Sequence, residues 1–226
     1  PIMQMMILFG LIFTFILILI SVTLRIIDQW INSIRELEEM KNLKLASDYS
    51  SLQTQLNPHF LFNNLSVLKS MITYEPGAAI QFTQNFTDVY RYVLQSKDKS
   101  TVKVSEELGF IEAYIALHKE RMGNALMVET DISSAALNRE IPPLALQLLI
   151  ENALKHNIAL KDSPLHIVIK SSDNSITVTN NINFKEASWS GKTGLLNLQQ
   201  RYALLTGPPV EIRQQDGFFE VEIPLL

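Results

Sequence analysis

Hydrophobic and polar positions alternate along this chain with three different periods. From Pro1 to Leu24 there is no ionisable side chain, and Ile7 to Ile20 is almost wholly apolar. At about 1.5 Å per residue, a helix over those 24 residues reaches some 36 Å, enough to cross a hydrocarbon layer of roughly 30 Å. A transmembrane helix is predicted for 1–24. Arg25, Arg35, Lys41 and Lys44 follow it and nothing basic precedes it, so its C-terminal side is expected to face the cytoplasm. The first residue is proline rather than methionine, which reads as a piece of a longer protein with further membrane or sensor parts upstream.

The pattern then becomes a helical seam. Ile27, Trp30, Ile34 and Leu37 are spaced three-four-three; after a slip, Leu45, Tyr49, Leu52 and Leu56 continue four-three-four. This predicts a coiled coil over 25–54 that leads into a helical domain over 45–123. Pro58 interrupts the rod, because it removes a backbone donor and clashes with the preceding turn. Beyond it the apolar line is Leu61, Leu65, Leu68 and Ile72, with His59 about 200° around the helix from Leu61 and so turned outward. Tyr74-Glu75-Pro76-Gly77 is a turn, and an antiparallel helix follows with Phe82, Phe86, Val89 and Val93 on one face. Ser105 reads as the N-cap of a third helix that runs to about Met122.

From 124 to 226 the periods alternate between two and 3.6. Strands are predicted at Leu126–Ile132, His166–Ser171, Ile176–Asn180, Val210–Gln215 and Phe218–Ile223. Helices are predicted at Leu144–Leu160, after Pro142-Pro143, and at Gly194–Leu205. Asp173-Asn174 and Asp216-Gly217 are hairpin turns. The fold class is therefore a membrane helix, a helical bundle, and an α/β two-layer sandwich whose mostly antiparallel sheet is covered on one face.

Composition narrows the function. The formal net charge of -4 argues against direct nucleic-acid binding, and the absence of cysteine rules out disulfides and thiolate metal sites. Two segments are polar where a packing helix would not be. One is Gln55-Leu56-Asn57-Pro58-His59-Phe60-Leu61-Phe62-Asn63-Asn64. The other holds Glu151, Asn152, Lys155 and His156, four apart in pairs on one helix. Asn152 can offer an oxygen to Mg²⁺, Glu151 can polarise a nucleophile, and Lys155 and His156 can meet phosphate oxygens. A solvated helix face with an ion pair is the plainer alternative.

Residues 55–63 resemble the phosphoacceptor motif of LytS-like sensor histidine kinases. Ile141-Pro142-Pro143 leading into Glu151-Asn152-Ala153-Leu154-Lys155-His156 is similar to the ATP-binding N box of their GHKL ATPase domain. Gly194-Leu195-Leu196-Asn197-Leu198 with Arg201-Tyr202 is similar to the segment after the ATP lid. The resemblance covers nearly everything after the first helix. It implies a Bergerat-type ATP-binding domain at 124–226 and a homodimeric bundle at 45–123. The product is a membrane-bound enzyme of a two-component system, in the cytoplasmic (inner) membrane with its kinase region in the cytoplasm.

The same resemblance assigns roles. His59 is the phosphoacceptor, and Asn63, one turn on, can bond its ring and set which nitrogen is free. Glu151 is the candidate base, Asn152 the Mg²⁺ ligand, and Lys155 and His156 are phosphate contacts. Asn180 stands where the family usually carries an aspartate that accepts the adenine amino group. A neutral acceptor there gives up about 1 kcal/mol, which raises an ATP Kd several-fold. Lys192, Thr193, Gly194 and Leu195 are expected around the phosphates, with Lys192 in a glycine position and Gly194 opening a helix N-terminus. Cofactors are then ATP and Mg²⁺; partners are a second copy, a response-regulator receiver domain and membrane lipid. Rival readings are a pseudokinase scaffold that relays a conformational signal, and a GHKL ATPase with no phosphohistidine.

Overall fold

The computed structural model describes residues 58–183, 192–205 and 208–226, with scattered helical positions between Arg25 and Lys41; of Pro58, His59, Lys192 and Thr193 it describes the backbone alone. The expected membrane span and most of the expected coiled coil lie outside the described residues. No helix among the described residues is long and apolar enough to cross a membrane. The chain divides into two units, Pro1–Pro58 and His59–Leu226. In the first, Trp30, Ile34 and Met40 are exposed on helical backbone.

Three helices come first from the start of the second unit, the first of them opening on Pro58 at its boundary: α1 (Pro58–Tyr74), α2 (Pro76–Ser96) and α3 (Val104–Met122). Pro76 sits in the first turn of α2, where its missing donor is not needed. Phe82 and Val89 are buried on the expected face of α2, and Phe86 and Val93 pack beside them. Two expectations fail here. The inward residues of α1 are Phe60, Asn64, Val67, Leu68 and Met71, so of the expected line Leu68 packs against the core while Leu65 and Ile72 remain exposed at 45% and 61%. Apolar residues at helical spacing lie on both faces, and only packing chooses between them. Ser105 is not a cap either; α3 starts at Val104 with Lys103 as N-cap and no side-chain cap bond. A two-residue strand β1 (Val102–Lys103) pairs with β3 (Glu140–Ile141), and Val104 N donates to Arg139 O at 2.9 Å, so tertiary pairing delivers the chain into the helix.

The remaining strands and α-helices are β2 (Leu126–Asp131), the single turn α4 (Ser134–Leu137), α5 (Ala145–His156), β4 (Leu165–Ser171), β5 (Ser175–Asn181), α6 (Lys192–Leu204), β6 (Glu211–Gln215) and β7 (Phe218–Pro224). The sheet order is β2-β4-β5-β7-β6, with β2 parallel to β4 and every other pair antiparallel. Leu165, Ile167 and Ile169 are buried, as are Ile176, Val178, Val221 and Ile223, while Lys170 and His166 are exposed, so one face is covered. The β6–β7 turn has positive φ at Asp216 (53°) and Gly217 (80°), the two-residue turn that matches strand twist. One core runs from α2 and α3 through α5 and α6 to the sheet.

Helix α5 is shorter than its periodicity predicts. It ends at His156 because Asn157, buried at 4%, turns back: its Nδ2 donates to Ala153 O at 2.9 Å and its Oδ1 accepts from Asn183 N at 2.8 Å. Leu144, expected inside the helix, precedes it in the left-handed region with φ 63°. Helix α6 begins two residues before Gly194.

Candidate functional site

The buried line of α5 is Leu146, Leu149, Ile150, Ala153 and Asn157, which seats the helix on the sheet. Asn152 and His156, one turn apart, flank that line and open onto a cavity of about 100 Å³, whose other walls are Ala153, Asn157, Asn180, Gln214 and Phe219. Ligand pockets usually hold roughly 300 Å³ or more, so the space suits a ring-sized group rather than a whole nucleotide. Three of its walls are one cross-strand row, since Asn180 pairs with Phe219 and Phe219 with Gln214.

Asn180 is the polar exception in its row. Ile176 and Val178 lie buried four and two positions before it on the same face of β5, and Asn180 is itself only 4% exposed. Its Nδ2 donates to Asn181 O at 2.7 Å, which turns Oδ1 to the role of acceptor. Asn181 in turn donates to Pro164 O and accepts from His166 N. The strand end that carries Asn180 is therefore fixed on both sides, and Asn157 and Ile158 tie it to the end of α5 through Asn183.

The four polar residues of α5 do not form one patch. Asn152 and His156 face the cavity, Lys155 is exposed, and Glu151 is half-buried on another side. Burial raises the Glu151 carboxyl above the usual range, and the nearby Lys155 charge acts against that. Glu151 in turn helps hold up the pKa of Tyr114, a buried phenol of α3 already raised by burial itself. Tyr114 stacks on Phe60 of α1 at 5.4 Å and lies 4.7 Å from the ring of His118. Phe60 is the residue after His59. Glu151 thus belongs to the side of α5 that meets α3, the helix against which α1 rests.

Asn63 is half-buried on α1; its neighbour Asn64 is buried and donates to Phe60 O at 2.8 Å. Backbone at Lys192, Thr193, Gly194 and Leu195 forms the first turn of α6. There a Cβ on Gly194 would meet the Leu148 side chain at 3.7 Å, an ordinary contact, and Leu195 packs against the core. Leu148 is one turn before Asn152, so α6 starts beside the N-terminal half of α5. Among the described residues no cluster of three acidic, histidine or cysteine side chains could hold a metal by itself. Mg²⁺ normally takes one or two protein oxygens and fills its remaining positions with phosphate and water, so a lone Asn152 amide fits it.

Sequence reading did not find Gln214 and Phe219, which become walls only when β6 and β7 pair beside β5. Nor did it find Glu107 of α3. That carboxylate is fully buried and binds the start of α5.

An α/β layer with a polar pocket between a helix and a strand end, joined to a helix that bears a proline-histidine motif, defines a class. A family model described as histidine kinase matches residues 47–126. The sensor histidine kinase YpdA of Escherichia coli (strain K12) is 31% identical over 199 residues, which cover 81% of this chain and 35% of that protein. The sensor protein LytS of Enterococcus faecalis is 29% identical over 145 residues, covering 63% of this chain and 25% of that protein. The sensor protein kinase HptS of Staphylococcus aureus is 33% identical over 130 residues, 57% of this chain and 24% of that one. These likenesses support a LytS-like sensor histidine kinase. The chain spans about a third of YpdA's length and a quarter of LytS's.

Proposed function

We propose that the chain is the kinase-bearing part of a membrane-bound sensor that autophosphorylates on His59 with Mg·ATP, then passes the phosphoryl group to an aspartate of a separate response regulator. The observation that carries this reading is the cavity lined by Asn152, His156 and Asn180, on the same helix as a Glu151 that faces the α1–α3 contact. Asn180 Oδ1 accepts the adenine amino group, and Phe219 supplies an apolar wall for the ring. Asn152 would hold Mg²⁺, which would offset the negative charge of the phosphates. Lys192, Thr193 and the first amides of α6 meet phosphate oxygens.

A neutral imidazole, as at His59, is nucleophilic without a strong base. Its free nitrogen forms a bond to the γ-phosphorus as the bond to the bridging oxygen breaks, and ADP leaves with that electron pair. The ring N–H proton then passes to Glu151, whose raised pKa makes it a stronger base. Asn63 sets the tautomer. A second copy completes the bundle through Phe62, Leu65 and Ile72, large apolar residues exposed on α1. The apolar segment 1–24 anchors the assembly in lipid.

Incubation of the membrane-embedded chain with γ-labelled ATP tests the reading. Acid-labile, base-stable label that disappears in His59→Gln supports it. ATP binding without label favours a scaffold, and hydrolysis unaffected by His59→Gln favours a plain ATPase; either result overturns it.

A further inference from the structure

The polar network at the start of α5 takes no part in the chemistry above. Glu107 of α3 has zero exposure. Its Oε2 accepts from Leu144 N at 3.0 Å and from the Tyr92 hydroxyl at 2.5 Å, and its Oε1 accepts from Leu146 N at 3.1 Å. Tyr92 belongs to α2, where its ring stacks on Phe110 of α3 at 4.5 Å. From the far side, Arg201 of α6 donates to Pro143 O at 3.0 Å, and the Glu107 charge supports the Arg201 guanidinium against burial. Four helices meet at one carboxylate.

A buried carboxylate is a costly way to begin a helix. Serine or aspartate at the N-cap satisfies the same amides locally at the surface. Here the N-cap is Leu144, which makes no side-chain cap bond and holds a left-handed φ of 63° that a leucine avoids. Helix α5 therefore takes both its cap and its strained entry from a residue of another helix. The Tyr92 hydroxyl connects that cap to α2 of the bundle. Asn152 and His156 lie on the same helix, about two and three turns from the capped end.

We infer that Glu107 is a positioning residue for the nucleotide pocket and that Tyr92 is its link to the bundle. Together they set the axial and rotational place of α5, and with it the placement of Asn152 and His156 against Asn180. The inference rests on the kinase reading for its ligand. It gives the bundle a direct mechanical hold on the pocket that does not pass through the phosphoacceptor helix.

The test measures ATP affinity directly in the full chain, solubilised in detergent micelles, well below the unfolding midpoint of each variant. Tyr92→Phe keeps the ring on Phe110 and removes only the hydroxyl; ATP affinity is expected to weaken about threefold. Glu107→Gln places an amide donor against backbone donors and is expected to weaken ATP about tenfold, because small misplacements of a site act steeply. The double variant is expected to lose no more than Glu107→Gln alone, since the two act as one unit. Affinities that stay at the wild-type value in Tyr92→Phe overturn the link to the bundle. The same result in Glu107→Gln with a lowered midpoint reduces Glu107 to a structural cap, and if Glu107→Gln does not fold, Tyr92→Phe alone decides. A wild-type chain that binds no ATP sinks the kinase reading and this inference with it, whereas wild-type binding with unaffected variants sinks the inference alone.

Discussion

The two ends of α5 are held in opposite ways. At its start, the backbone donors of Leu144 and Leu146 are closed over a carboxylate with no solvent exposure, and the chain enters through a strained leucine. At its end, Asn152 and His156 face a cavity, and the helix stops on neutral amide bonds from Asn157 to Ala153 and Asn183. One end is rigid and dry; the other is polar and open to a ligand. A binding helix needs both, because a site is only as well placed as the part of its element that does not move.

The comparison breaks most directly at the dry end. Glu107→Leu removes the acceptor for two backbone amides and the Tyr92 hydroxyl, and the unfolding free energy is expected to fall by about 3–5 kcal/mol. Urea denaturation reads this; a loss under about 1 kcal/mol would show that the start of α5 needs no buried anion.

Acid is the next largest perturbation. Burial first, and the Arg121 charge second, push the His118 imidazole down to about 4 from an ordinary 6.5. The unfolded chain then binds the extra proton first, so stability is full above about pH 6.5 and falls as pH drops towards 4, by up to about 3 kcal/mol. His118→Phe should flatten that part of the pH–stability curve. A curve unchanged by the substitution places the acid sensitivity elsewhere.

At the open end smaller effects are expected. Asn157→Ala removes the turn-back bond and the tie to Asn183, for a loss of about 1–2 kcal/mol and a looser strand end at Asn180. Thermal unfolding and ATP titration should move together; a stability loss with unchanged affinity separates the tie from the pocket. Asn180→Asp supplies a charged acceptor and should tighten ATP several-fold, roughly 1 kcal/mol. Calorimetric titration that shows weaker binding would remove Asn180 from the adenine contact.

Much of this was legible along the chain. Period-two alternation at Leu165, Ile167 and Ile169, and at Ile176 and Val178, located the central strands and their covered face. Asp216-Gly217 located the last hairpin. The motif around Asn152 and the place of Asn180, where the resembled family carries an aspartate, pointed to two residues that line the cavity. By contrast, α1 turns Phe60, Asn64, Val67 and Met71 inward together with Leu68, the one member of the expected line that packs against the core, while Leu65 and Ile72 stay exposed.

The division follows from the range of the forces. Periodicity, turns and motifs are local, so the sequence by itself determined which segments are strands and helices and which side chains have chemistry to offer. Where a helix stops, which of two apolar faces turns inward, and which carboxylate is buried depend on partners far along the chain. Asn157 ends α5 because Asn183 is there to receive it, and Glu107 is dry because Tyr92 and the start of α5 close over it. Those choices are made by packing and desolvation, and only the tertiary structure could decide them.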